Sequence, residues 1–207
     1  MRAIRKNITW IMLITLFAVG CSSIEKAESL YRQGEKQEAL EMAISLLDDD
    51  NPKVRLRAVK LVGSIGGSKA GPALHERIVE NDARVLREVV RNLGKVQYKP
   101  AIEDLADMAT NSNSDMLRAL ADAFREYGKY AIDEIVERYD SSNQSGTRAA
   151  YKELLIAVGP EIADSISKLL KGRSFFENRD TFEILRQIKN PRVATLMMKC
   201  KKNSSPK

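Results

Sequence analysis

His75 is the only histidine in the 207-residue chain, and Cys21 and Cys200 are its only cysteines. An imidazole can move protons or ligate a metal, and a thiolate can attack, ligate or accept an acyl group; each catalytic task needs a second group close by. One nitrogen donor and two remote sulfurs cannot assemble a nitrogen- and sulfur-rich zinc site. Asp48-Asp49-Asp50 is the densest acidic cluster, but it lacks the alternating donors of a helix–loop–helix calcium loop. Standing before a segment that carries Arg55 and Arg57, it reads instead as a partner for a helix N-terminus and for those two arginines. Ser64-Ile65-Gly66-Gly67-Ser68 is rich in glycine, yet no Gly-Lys-Ser/Thr completes a phosphate loop, so it reads as a turn between helices. Tyr127 and Tyr130 flank another turn and Phe175-Phe176 lies near the end of the chain. Exposed aromatics of this kind suit protein interfaces, although Phe175-Phe176 would serve equally to cover an open end of a core. No catalytic, metal-binding or cofactor-binding residue is assigned, and the chain is expected not to be an enzyme. Cys200, within Lys199-Cys200-Lys201-Lys202, reads as a free thiol.

Cys21 has a more specific setting. Arg2, Arg5 and Lys6 precede an uncharged run from Ile8 to Val19. That run is well short of the roughly 20 apolar residues that cross a bilayer and fits the apolar core of a signal peptide. It ends in Ala18-Val19-Gly20-Cys21-Ser22-Ser23, which resembles the lipobox of bacterial lipoproteins, with Ala18 in place of the usual Leu. The resemblance implies cleavage between Gly20 and Cys21 and a lipid of diacylglyceryl and palmitate type on Cys21. Several acyl chains make a durable anchor where one does not. It also implies a signal peptide over 1–20, a lipidated tether over 21–24 and residence in the bacterial cell envelope. Ser22 rather than Asp after the cysteine implies, by the sorting rule of such lipoproteins, the periplasmic side of the outer membrane rather than the inner membrane. An ordinary secretory signal with an incidental cysteine is the alternative.

The elements behind these residues follow from a repeat. A stride of 31 residues aligns Ala27, Ala58, Val89, Leu120, Tyr151 and Phe182. The same stride aligns Leu30, Leu61, Asn92, Ala123, Leu154 and Leu185, with one polar exception. It also aligns Ala39, Ala70, Ala101, Ile132, Ala163 and Ala194, and then Ala43, Leu74, Leu105, Val136, Ser167 and Met198. Fixed-period self-similarity is the mark of stacked repeat units. Asp50, Asn81, Ser112, Asn143 and Ser174 share a phase and are expected to accept from free N–H groups where a helix begins. Pro52 suits the first turn of such a helix. Gly66, Gly128, Gly159 and Asn190 share the phase of a helix end, with Gln97 as the exception. Pro160 and Pro191, one residue on, open a second helix. Val54, Ala58, Leu61, Val62 and Ile65 recur at the spacing of one helical face, as do Ala70, Ala73, Leu74 and Ile78. Each unit therefore reads as a helix, a turn, a shorter helix and a polar break. A single pair cannot bury its apolar face alone, and stacked neighbours bury each other's.

The run Asn51-Pro-Lys-Val-Arg-Leu-Arg-Ala-Val-Lys-Leu-Val-Gly-Ser-Ile-Gly66 resembles a HEAT repeat, in the short bacterial form also found in phycobilisome-lyase-like proteins. Ala83-Arg84-Val85 through Leu93-Gly94 repeats the theme, and 25–50 has a tetratricopeptide-like flavour while keeping the phase. The resemblance implies an all-α, right-handed α-solenoid of about six antiparallel helix pairs over 25–200, followed by a basic tail over 201–207. It further implies a scaffold that binds protein partners, held to the membrane by its lipid. HEAT-like enzymes of bilin-lyase or DNA-glycosylase type are the alternative, as is a structural subunit of an envelope secretion or motility complex. The formal charge of +6 invites a nucleic-acid partner. Removal of Arg2, Arg5 and Lys6 leaves 31 basic against 28 acidic residues, about +3, and bases interleave with acids as in Glu76-Arg77. No nucleic-acid partner is expected.

Overall fold

A computed structural model describes residues 23–170 and 178–188, together with 194, 195 and 198. Gly20, Cys21, the leader, Phe175-Phe176, Pro191, Cys200 and the basic tail lie outside the described residues. Within them every regular element is helical: α1 over 23–33, α2 (Lys36–Ser45), α3 (Pro52–Ile65), α4 (Ala70–His75), α5 (Ala83–Lys95) and α6 (Ile102–Met108). They are followed by α7 (Ser114–Tyr127), α8 (Lys129–Ser141), α9 (Ser145–Val158), α10 (Ala163–Ile166) and α11 (Arg179–Gln187). Short 3₁₀ turns flank α6 and α10, so the second helix of a pair is often brief, as the sequence suggests. The fold is all-α, of the helix-pair solenoid class.

The chain divides at Val96 and Gln97 into two compact units. In the first, α3 packs on α2, α4 and α5; in the second, α9 packs on α7, α8 and α11. Contact between successive first helices (α3 with α5, α7 with α9) is what a 31-residue stride requires. The aligned columns form the cores. Ala27, Ala58, Val89, Leu120, Tyr151 and Phe182 are all buried, and Ala39, Ala70, Leu74, Ala101 and Leu105 are wholly so. In the last unit the first two columns stay buried at Phe182 and Leu185, and the other two fail, with Ala194 and Met198 exposed.

Two details of the punctuation differ from expectation. The residues that start the helices are Asn51, Asp82 and Asn113, one place later than the expected Asp50, Asn81 and Ser112. Each break carries two adjacent polar residues, and the second, with an extended backbone, stands beside the first free amides. Asn51 accepts from the Lys53 amide, Asp82 from those of Arg84 and Val85, and Asn113 from that of Met116. Ser112 instead turns back, its hydroxyl donating to the Met108 carbonyl at 2.6 Å. In the fourth break the starting residue is Gln144, not Asn143, and its longer side chain makes no capping bond. Gln144→Asp should therefore raise stability by about 0.5–1 kcal/mol, while Asn113→Ala should lower it by about 1 kcal/mol. Chemical denaturation of both variants, with opposite signs of shift, is the check.

The second difference is Gln97. It was the exception to a column of helix-ending glycines, yet its φ of 51° matches the 70°, 73° and 88° of Gly66, Gly128 and Gly159. The left-handed turn recurs at 66, 97, 128 and 159, even where a side chain makes it strained. The amide of Gln97 is used: Nε2 donates to the Glu126 carbonyl at 3.0 Å, near the end of α7.

Candidate functional site

In the first unit, the loops after α2 and α4 stand one stride apart, so that Asp48, Asp49 and Asp50 align with Val79, Glu80 and Asn81. With Arg55 and Arg77 they line a polar cleft of about 390 Å³. Arg55 closes its floor. Its Nε and Nη2 donate to the two carboxylate oxygens of Glu80, each at 2.8 Å, and Nη1 donates to the Asp49 and Asp50 carbonyls at 2.8 and 3.2 Å. The Glu80 side chain is only 6% exposed. Hydrogen bonding from Arg55 holds its carboxyl below the usual range against the opposing effect of burial, and the Asp82 amide adds to the lowering. The two loops also repeat a local device: Asp49 accepts from the Asn51 amide and Glu80 from the Asp82 amide, both at 2.8 Å.

The acidic cluster therefore does meet arginines, but not the pair expected. Arg55 reaches its backbone carbonyls, Arg77 pairs with Asp48, and Arg57 points to α1, where it binds Glu28 at 2.8 Å. The reason lies in the helix: Arg55 and Arg57 are two residues apart and so cannot share a face. What the cleft leaves open to solvent is Asp48, Asp50 and the 74%-exposed side chain of Val79.

In the second unit the second helices carry the acids: Glu103, Asp104 and Asp107 on α6, and Asp133, Glu134 and Glu137 on α8. Arg138 binds Glu134 and Asp107 at 2.7 and 2.5 Å. Burial would raise the Asp133 carboxyl, but hydrogen bonds from Ser165, Lys129 and Lys168 prevail and bring it down to about 2. Glu103 and Glu137 remain exposed. Tyr130, in the first turn of α8, is 67% exposed, with the Lys99 ammonium 5.8 Å from its ring centroid.

Tyr127 does not share that exposure. It is half-buried and its hydroxyl donates to the Tyr98 carbonyl at 3.0 Å, so it ties two successive turns together. Burial pushes its hydroxyl pKa up. Of the two tyrosines expected at an interface, only Tyr130 is available. His75 ends α4, half-buried. Among the described residues no group of three or more His, Cys, Asp or Glu side chains is placed to hold a metal, and no helix is long and apolar enough to cross a membrane. The Arg55–Glu80 pair escaped the sequence reading; the 31-residue alignment of the two loops is the signal that could have exposed it.

The geometry of paired helices at a constant stride has a counterpart among known families. Residues 27–90 and 40–125 match the family described as HEAT repeats. No curated protein matches the chain. The match runs from within α1 into α7 and includes the Arg55–Glu80 clasp and the cleft it closes, so residues 27–125 of the chain are built of HEAT repeats.

Proposed function

We propose that this protein is a non-catalytic scaffold of the bacterial cell envelope, lipidated on Cys21 after cleavage at Gly20, whose repeats bind a protein partner. The outer membrane, periplasmic side, is the site that the sequence context of Cys21 favours. One observation carries the binding role: the second helices of the second unit present exposed Glu103 and Glu137, and α8 also bears the exposed ring of Tyr130. An aromatic anchor within a charged rim is the usual anatomy of a protein interface. The acids make a basic surface the matching partner. HEAT repeats support the reading because stacked repeats create extended binding surfaces.

Two measurements test it. Labelling cells with a palmitate analogue should mark the wild type and not Cys21→Ala, and the variant should leave the membrane fraction. Photocrosslinking from position 130 in cells should capture one reproducible partner, and Glu103→Lys with Glu137→Lys should lower its yield by about tenfold through charge opposition. A labelled Cys21→Ala protein would reject the anchor. Absence of any reproducible crosslinked species would reject the binding surface.

A further inference from the structure

The geometry points to a second contact for the first unit: the outer face of α3 and α5 lies on an anionic lipid surface. Lys53, Leu56, Lys60 and Ser64 follow one another on the outward side of α3, at the three- and four-residue spacing of a single helical face. One stride later Arg84, Arg87, Arg91 and Lys95 occupy the same positions on α5, which packs directly against α3. Most cations elsewhere in the described structure are engaged: Arg55 with Glu80, Arg77 with Asp48, Arg125 with Asp122, Arg138 with Asp107, Lys152 with Glu183. On this face two of the acids are paired with arginines and a third is held by a side-chain amide. Glu28 binds Arg57, Asp82 binds Arg84, and Glu88 accepts from the Asn92 side-chain amide at 2.9 Å. Lys53, Lys60, Arg87 and Lys95 are left among the described residues with no ion-pair partner.

Lipid is favoured as the occupant by the position of Cys21 just ahead of α1. This step rests on the proposed lipidation of Cys21. The described start of α1, residue 23, is in phase with Val54 and Val85, the neighbours in sequence of Lys53 and Arg84, so a lipid on Cys21 would hold α1 by the end that corresponds to those two cations. One residue separates Cys21 from the described start of α1 at residue 23, a reach of about 7 Å over two steps of the chain. That is within the roughly 8 Å over which surface charge acts at physiological ionic strength. Arg57 holds α1 to α3 through Glu28, so the anchored helix and the basic face belong to one unit. A chain held by acyl groups beside a basic face combines the two signals that together give stable membrane attachment.

The test uses the chain from residue 21 with Cys21→Ser, which retains every described residue and carries no lipid, so its result does not depend on whether Cys21 is modified in cells. It is sedimented with vesicles of phosphatidylcholine alone or of phosphatidylcholine with phosphatidylglycerol. Binding is expected only to the second kind and should fall as salt rises. Each neutralised cation should weaken it about fivefold. Lys53→Gln, Lys60→Gln, Arg87→Gln and Lys95→Gln combined should weaken it a hundredfold or more, and Arg87→Gln alone serves if the combined variant does not fold. Equal binding to both vesicle types, unchanged binding by these variants, or tighter binding to a DNA duplex would each overturn the inference. Failure of palmitate labelling at Cys21, with vesicle binding intact, would instead remove the anchor and leave the face.

Discussion

Arg55→Ala should cost the protein about 2–4 kcal/mol at neutral pH, a loss characteristic of an ion pair broken from one side away from water. The side chains of Arg55 and Glu80 are 17% and 6% exposed, and the guanidinium meets the carboxylate through two bonds of 2.8 Å. Removing Arg55 leaves a carboxylate in a place chosen for a neutralised one, and it releases the Asp49 and Asp50 carbonyls as well. The pH dependence has a definite sign. In the wild type Glu80 is held below its ordinary value by Arg55. Its stabilising contribution is therefore present above about pH 4.3, the unfolded value, and is lost as the pH falls below it. In Arg55→Ala burial acts without its counterweight and the carboxyl pKa rises. Protonation then relieves the variant before the wild type is affected, so the difference between them should shrink as the pH drops from about 7 toward 4. Adding Glu80→Gln to Arg55→Ala should restore about 1–2 kcal/mol by removing the stranded charge. Arg57→Ala, which breaks a pair with 37% and 29% exposed side chains, should cost only about 0–1 kcal/mol. Urea denaturation of the four proteins at two pH values decides the matter. An Arg55→Ala protein no weaker than Arg57→Ala would show that the clasp does not hold the first two repeats together.

The contrast between those arginines also shows what the sequence could and could not express. The stride of 31 was legible because burial acts on every turn of every unit: Ala58, Val89 and Leu120 are wholly buried and all apolar. The left-handed turns were legible where glycine marks them and hidden at Gln97, because a backbone conformation enforced by neighbours on both sides does not need glycine. Helix starts were legible to within one residue, since two polar neighbours at each break have similar propensities and only the chain direction selects Asn51 over Asp50. Side-chain partners were least legible. Arg55 and Arg57 look equivalent on paper, but a helix turns them to different neighbours, and Glu80 lies 25 residues away. The same is true of Tyr127 and Tyr130, of which one spends its hydroxyl inside the unit and the other leaves its ring outside. A pattern of types reports which faces are buried; which polar atoms meet depends on the packed geometry.

Gly63→Ala should destabilise the protein by about 1–3 kcal/mol despite improving the helix propensity of α3, because an added methyl has nowhere to go. Position 92 is the one polar member of an otherwise apolar column, and Asn92 is wholly buried. Its Nδ2 donates to the Glu88 carbonyl and carboxylate at 2.8 and 2.9 Å, which fixes the side chain against α3. A Cβ on Gly63 would lie 2.6 Å from the Cβ of Asn92. That atom belongs to the stem of the residue and cannot rotate away, so α5 itself would have to retreat. The missing methyl at 63 and the polar side chain at 92 are therefore one feature, with the bulk of one repeat set into the gap of the other. The reciprocal exchange is the decisive test. Gly63→Ala combined with Asn92→Gly removes the collision, and a double-mutant cycle should show about 1–3 kcal/mol of favourable coupling. Asn92→Ala in place of Asn92→Gly should rescue less, since it keeps the Cβ that collides. Gly146, exposed in the first turn of α9 with no atom within 4 Å of an added Cβ, supplies the control. There the same substitution should stabilise by about 0.4–1 kcal/mol, by restricting the unfolded chain. If Gly63→Ala and Gly146→Ala shift the denaturation midpoint in the same direction, α3 and α5 do not make the close approach of Gly63 to Asn92.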